Sequence, residues 1–243
     1  MIQGPGEGGS PSRPDGGEAP AVRLRAVRKR FGYSDVLRTI HLDVPNGVVF
    51  VLEGSNGAGK STLLRLIATQ WVQSSGTVEV LGYDTRRETL KIRAAIGAVF
   101  HESFLRRELS LIENLRFAAS LHSLPWPNVE AQAVELVERF GLSKRQRDPV
   151  GTYSQGMTKR ANLIRSLIHE PRLWVLDEPY SSLDVDGRLL LSETIREFVN
   201  DPHRTVLLVT HDRATGDELA TAGAALVDGR RRYANDEPAQ EAQ

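Results

Sequence analysis

Residues Gly54-Ser55-Asn56-Gly57-Ala58-Gly59-Lys60-Ser61 fit the spacing G-x-x-x-x-G-K-[ST], and the chemistry this spacing serves is phosphate binding. Glycines let a backbone curl closely round an anion, and N–H groups at the start of a following helix point towards it. Lys60 supplies a mobile charge for β- and γ-phosphates, and Ser61 a hydroxyl for Mg²⁺. Candidate nucleotide contacts therefore run from Gly54 to Thr62. The bland alternative is a glycine turn that happens to precede a lysine. The flanks argue against it. Val48–Leu52 reads as a buried strand, and Thr62–Ala68 has apolar positions spaced for one helix face.

A second group of chemical residues closes another apolar run. Leu173-Trp174-Val175-Leu176 ends in Asp177-Glu178. In proteins with a phosphate loop, an acid at such a strand end holds Mg²⁺, directly or through water. That role falls to Asp177, which with Ser61 makes the candidate metal site. Glu178 lies where the strand emerges, and a carboxylate there can polarise an attacking water.

The elements that must position these residues follow from pattern. Val22–Val27 and Ile40–Val44 alternate like half-buried strands, and Pro45-Asn46-Gly47 turns the chain into Val48–Leu52. Thr77–Leu81 and Ile96–Phe100 add strands. From about 103 to 170 the pattern is helical, with amphipathic runs at Ile112–Leu124 and Val129–Phe140 separated by Pro125-Trp126-Pro127. Strands return at Leu173–Leu176, Thr205–Val209 and Ala224–Val227, and Asp228-Gly229 signals a hairpin. This is an α/β nucleotide-binding core with a helical insertion.

Composition sets the outer limits. The chain has 243 residues, 40% hydrophobic and 26% charged, which suits one domain with a sizeable core. Net charge is zero, which argues against a nucleic-acid partner. Without cysteine there are neither disulfides nor thiolate metal sites. No run of about 18 apolar residues offers a membrane span, and no apolar signal core opens the chain, so the expected location is cytosolic. Residues 1–20 are half Gly and Pro and read as a disordered tail, as does 233–243; the folded unit is expected over 21–232.

Between the two nucleotide motifs lies Thr152-Tyr153-Ser154-Gln155-Gly156-Met157-Thr158-Lys159-Arg160. With that segment the chain resembles an ATP-binding cassette (ABC) ATPase over about residues 21–232. The resemblance implies a P-loop NTPase fold with a RecA-like core, an antiparallel β subdomain and a helical subdomain. It implies ATP and Mg²⁺ as ligands, and two cassettes, identical or not, binding head to tail. ATP is then held between the P-loop of one and the signature of the other. The signature here is Tyr153-Ser154-Gln155-Gly156-Met157, where the common form is Leu-Ser-Gly-Gly-Gln. Ser154 and Gly156 match and would meet the partner's γ-phosphate at the start of a helix over Thr158–His169. Ser181-Ser182-Leu183-Asp184 resembles the D-loop at the dimer interface. His211 resembles the switch histidine on the γ-phosphate, and Phe31 the aromatic that stacks on adenine, with Tyr33 as competitor. Lys60, Glu178 and His211 are thus the implied catalytic set. The family usually has glutamine at the position of His101, so signalling to a membrane subunit would here pass through an imidazole.

Further features resemble the ATP-binding subunit of haem exporters in cytochrome c biogenesis: His101, the stretch Glu113-Asn114-Leu115-Arg116-Phe117-Ala118, Asp148-Pro149-Val150, and Ser154-Gln155-Gly156-Met157 followed by Arg160. Ser-x-Gly-Met signatures also occur in exporters of other cargoes, including drugs and lipid-linked glycans. Either way the resemblance implies a peripheral subunit on the inner face of the cell membrane. It would dock on an integral membrane protein through the groove near His101 and the helical insertion. A soluble ABC ATPase acting on ribosomes or DNA typically carries two cassettes or long coiled-coil insertions, and neither is present.

Overall fold

The computed structural model describes residues 19–210, 213–227 and 229–232. His211, the expected hairpin residue Asp228 and most of both tails lie outside that set.

Two sheets carry the fold. β1 (Val22–Phe31), β2 (Ser34–Val44), β4 (Ser75–Val80) and β5 (Tyr83–Asp84) form an antiparallel sheet in the order β2-β1-β4-β5. The second sheet holds β3 (Val49–Glu53), β6 (Ile96–Val99), β7 (Leu173–Asp177), β8 (Thr205–Val209), β9 (Ala222–Val227) and β10 (Arg230–Arg232). Its order is β10-β9-β3-β8-β7-β6, parallel except for the terminal β9–β10 hairpin. The hairpin expected around Gly229 is present, with Arg230 paired to Val227.

The parallel strands read as unbroken apolar runs because both faces are covered. Leu173, Val175, Leu207, Phe50 and Leu52 pack into a core shared with the antiparallel sheet and with α1 (Lys60–Ile67). Trp174, Leu176, Leu208 and Val51 point the other way, into a core built with α3 (Leu111–Leu121), α4 (Trp126–Arg139), α5 (Gln155–Leu167) and α6 (Val185–Phe198). Two short helices, α2 (Thr89–Ala95) and α7 (Arg213–Leu219), complete the order.

Two helix starts depart from the sequence expectation, and a third helix is absent from it. α4 starts at Trp126, not Val129, because Pro127 sits in the first turn, where its missing N–H costs nothing. α5 starts at Gln155, not Thr158, since the Ser154 hydroxyl accepts from Met157 N–H at 3.2 Å and so caps the helix ahead of Gly156. α6, a helix absent from the sequence expectation, is capped by Asp184, whose carboxylate accepts from Gly187 N–H at 3.0 Å.

The stretch Glu113–Ala118 has a clear structural use. Ser110 and Glu113 form a reciprocal capping box on α3. Asn114, buried, accepts from Arg106 N–H at 2.7 Å and donates to the Arg106, Leu109 and Ser110 carbonyls. These two residues hold the loop that leads from His101 into the helical region.

Where α5 ends, His169 stacks on His122 with ring centres 3.8 Å apart, and its Nε2–H donates to the Ile96 carbonyl at 2.8 Å. Burial, reinforced by the neighbouring His122, pushes the His169 imidazole down to about 4 from its usual 6.5. Between those values the unfolded chain binds the proton and the folded chain does not, so stability falls as pH drops through the window. Going from pH 7.5 to 5.5 should cost about 1.3 kcal/mol through this residue. Urea unfolding at the two pH values should show that loss in the native chain and lose it in His169→Asn. Equal pH dependence in both would contradict the assignment.

Candidate functional site

The sheet order brings the ends of β3, β8 and β7 side by side, and the candidate residues leave from those ends. Ligands of open α/β sheets bind at the carboxyl ends of their strands for this reason. β3 runs into the loop 54–59, and α1 begins at Lys60. Gly54 has φ 146°, and a Cβ there would lie 2.2 Å from the Leu226 carbonyl oxygen, so the first loop glycine is required by packing as well as by conformation. No acid occupies the first turn of α1, which leaves its positive end available to an anion.

Asn56, Gly57, Gly59, Lys60, Ser61 and Thr62 line one cavity of about 300 Å³ together with Asp177 and Glu178. Both sequence motifs therefore meet in one place. The Lys60 ammonium is buried and donates to the Gly54 and Ser55 carbonyls at 2.6 and 2.9 Å, bracing the loop. Burial lowers its pKa, and Glu178 and Asp177 oppose that shift. Ala58 is buried beneath the loop, and Ser55 accepts from its N–H at 3.2 Å.

Asp177 is 4% exposed and lines the cavity together with Ser61. Burial raises its pKa, and the Ser61 hydroxyl with Arg65, Lys159 and Lys60 pulls it back. A hydroxyl and a carboxylate on one cavity wall are the hard oxygen donors Mg²⁺ takes, with room left for phosphate and water. The donor set fits. Among the described residues no cluster of three His, Cys, Asp or Glu offers a self-sufficient metal cage.

Glu178 follows directly, with φ 48° and its N–H donating to the Val209 carbonyl at 2.9 Å. A non-glycine residue in that region is held there by its surroundings.

The remaining candidates lie elsewhere. Ser154 and Gly156 open α5, outside the 300 Å³ cavity. Gly156 is glycine for a reason inside the chain: a Cβ would sit 2.9 Å from the Ser182 carbonyl oxygen of the neighbouring loop. Arg160 pairs with Asp184 of that loop. His101 is exposed and shares a separate cavity of about 280 Å³ with Gln155, Lys159 and Ser182. Next to it Glu102 pairs with Arg65 of α1 at 2.5 Å. Phe31 stands 42% exposed at the β1–β2 hairpin, edge-on to Trp71 at 5.0 Å and under Lys29, while Tyr33 is wholly exposed. His211 lies outside the described residues.

Two residues at the site have no role assigned by the motifs. Val36 of β2 lines the phosphate cavity. Lys159 of α5 reaches the Glu178 carbonyl. Val36 had no signal beyond an alternating strand, and Lys159 reads in sequence as a solvent-facing helix lysine.

A parallel sheet carrying a glycine loop at β3 and paired acids at β7 defines a P-loop nucleotide-binding protein. The profile of the ABC transporter family matches residues 37–181, and the chain belongs to that family. Among curated relatives it is 37% identical over 210 residues to the daunorubicin resistance ATP-binding protein DrrA3 of Streptomyces coeruleorubidus, covering 86% of this chain and 66% of that one. It is 34% identical to the linearmycin resistance ATP-binding protein LnrL of Bacillus subtilis, covering 78% and 61%. It is 30% identical to the Nod factor export ATP-binding protein I of Ralstonia nicotianae, covering 94% and 70%. The chain thus spans two thirds or less of the length of the first two. Among solved structures, an ATP-binding subunit of an ABC transporter superposes with a TM-score of 0.82 at 26% identity, over 88% of each chain. A dimeric ATP-binding cassette bound to ADP and Pi gives 0.80 at 24% identity over 87% and 97%, a likeness of fold.

The finer resemblance to haem exporters is not supported by these relatives, whose names carry drug resistance and Nod factor export. The residues behind it have local uses: Glu113 and Asn114 hold a loop, and Arg160 pairs with Asp184.

Proposed function

We propose that this chain is the ATP-hydrolysing subunit of a membrane exporter, working as a head-to-tail dimer of cassettes. The observation that carries the reading is the single cavity joining the loop of residues 56–62 to Asp177 and Glu178. Loop amides and Lys60 hold the phosphates. Ser61 and Asp177 would hold Mg²⁺, which when bound neutralises charge on the β- and γ-oxygens. Glu178 orients and deprotonates the attacking water. Catalysis is then mainly positioning and electrostatics. Ser154 and Gly156 act on the partner's nucleotide, which agrees with their place outside this chain's own cavity. Phe31 takes the adenine, and His211 the γ-phosphate.

No helix among the described residues is long and apolar enough to cross a membrane. In this reading the transport path belongs to a membrane subunit, and this chain sits peripherally on its cytoplasmic face. The docking face we favour is the 620 Å³ groove lined by Phe104, Leu121 and His122 beside the helical region, in place of the expected groove at His101, which lines a separate cavity. Drug-resistance relatives support export of a drug-like compound over haem. Purified protein should release phosphate from ATP only with Mg²⁺ present, and EDTA should abolish it; Mg²⁺-independent turnover would overturn the site assignment. A gene deletion that leaves holo-cytochrome c normal would agree with the cargo reading, and its loss would restore haem.

A further inference from the structure

Lys159 is buried at 9% exposure on α5, five residues after the Ser154 cap, or about 7.5 Å along the helix. Its ammonium donates to the Glu178 carbonyl at 3.2 Å. The Ser181 hydroxyl donates to the same oxygen at 2.8 Å. Glu178 is therefore tied on both sides: its N–H to β8, its carbonyl to α5 and the following loop. Its left-handed backbone persists only while those ties hold. A buried ammonium is expensive unless it is hydrogen-bonded and faces opposite charge. Lys159 has both, since Asp177 and Glu178 oppose the downward pull of burial on its pKa.

We propose that Lys159 is a positioning residue that couples one nucleotide site of the dimer to the other. The inference rests on the dimeric reading above. One end of α5 carries Ser154, which faces the partner's ATP. A turn and a half later, the same helix holds the peptide group that aims Glu178 at this chain's own ATP. A shift of α5 on engaging the partner's phosphate is passed directly to the Glu178 carbonyl and so to the direction of its carboxylate. The 280 Å³ cavity beside Lys159, lined also by His101, Gln155 and Ser182, leaves α5 space to move on that side.

The test compares K159M, which keeps the length and removes the donor, with K159Q, which keeps an N–H donor without charge. Purified full-length variants are assayed for kcat, Hill coefficient, affinity for a fluorescent ATP analogue and melting temperature, with E178Q in parallel. K159M should lower kcat at least about tenfold with nucleotide affinity within about twofold, and bring the Hill coefficient towards one. K159Q should recover most of the lost kcat and cooperativity. Wild-type kcat and cooperativity in K159M would overturn the proposal, and so would a K159Q as slow as K159M. If K159M fails to fold, K159Q decides: cooperative turnover supports the coupling, and turnover lost with nucleotide binding intact overturns it. Full turnover in E178Q would instead sink the role of Glu178, a separate failure from that of Lys159.

Discussion

Lys60→Ala is expected to weaken ATP binding about 100-fold, the effect of losing charge-assisted contacts worth about 3 kcal/mol. Lys60 lines the cavity from the first position of α1, and its ammonium rests on the Gly54 and Ser55 carbonyls of the loop. A bound triphosphate presents a stronger acceptor than either carbonyl, so the side chain has every reason to turn to it. The fold should survive the change. Alanine is the best helix former at the first position of α1, and Ser55 is already exposed to water. Titration with a fluorescent ATP analogue, with a melting curve beside it, separates the two effects. Unchanged affinity would mean that residues 54–61 do not hold phosphate.

The second large effect concerns Glu178. Replacing it by glutamine keeps the shape, and the backbone at φ 48° is no worse for glutamine than for glutamate. The amide cannot take a proton from water. Loss of a general base typically costs about 10²–10⁴-fold, so kcat should fall into that range while ATP affinity holds. Single-turnover phosphate release measured beside nucleotide binding checks both halves. Normal turnover would remove Glu178 from the chemistry and leave its strained backbone without a function.

Much of this site was legible in the sequence because its parts are local. A glycine loop between a strand and a helix, and two acids at the end of an apolar run, are contiguous patterns with one physical reading each. The strands of the parallel sheet were legible for a related reason: with both faces buried, their apolar character is continuous. What was not legible depends on contacts between distant segments. α2 buries Ile92 alone within its seven residues, so no period could show. α6 carries Leu191, Ile195 and Phe198 on one face, a usable stripe whose cap, Asp184, reads in sequence as the end of the dimer loop. Glu113 and Asn114 looked like a subfamily mark and turned out to secure a loop. Lys159 meets its partner only because α5 crosses the end of β7, and no spacing rule reports that. Gly156 similarly owes part of its identity to the Ser182 carbonyl, a contact across 26 residues of chain (182 − 156).

The central claim is that two cassettes close over ATP, each completing the other's site. Size-exclusion chromatography with light scattering on the Glu178→Gln protein tests it most directly. With ATP and Mg²⁺ the protein should elute at twice the mass it shows without nucleotide, and adding Ser154→Arg to the same chain should return it to the lower mass while ATP still binds. A Glu178→Gln protein that binds ATP and keeps one mass throughout, or a dimer indifferent to Ser154→Arg, would contradict the account.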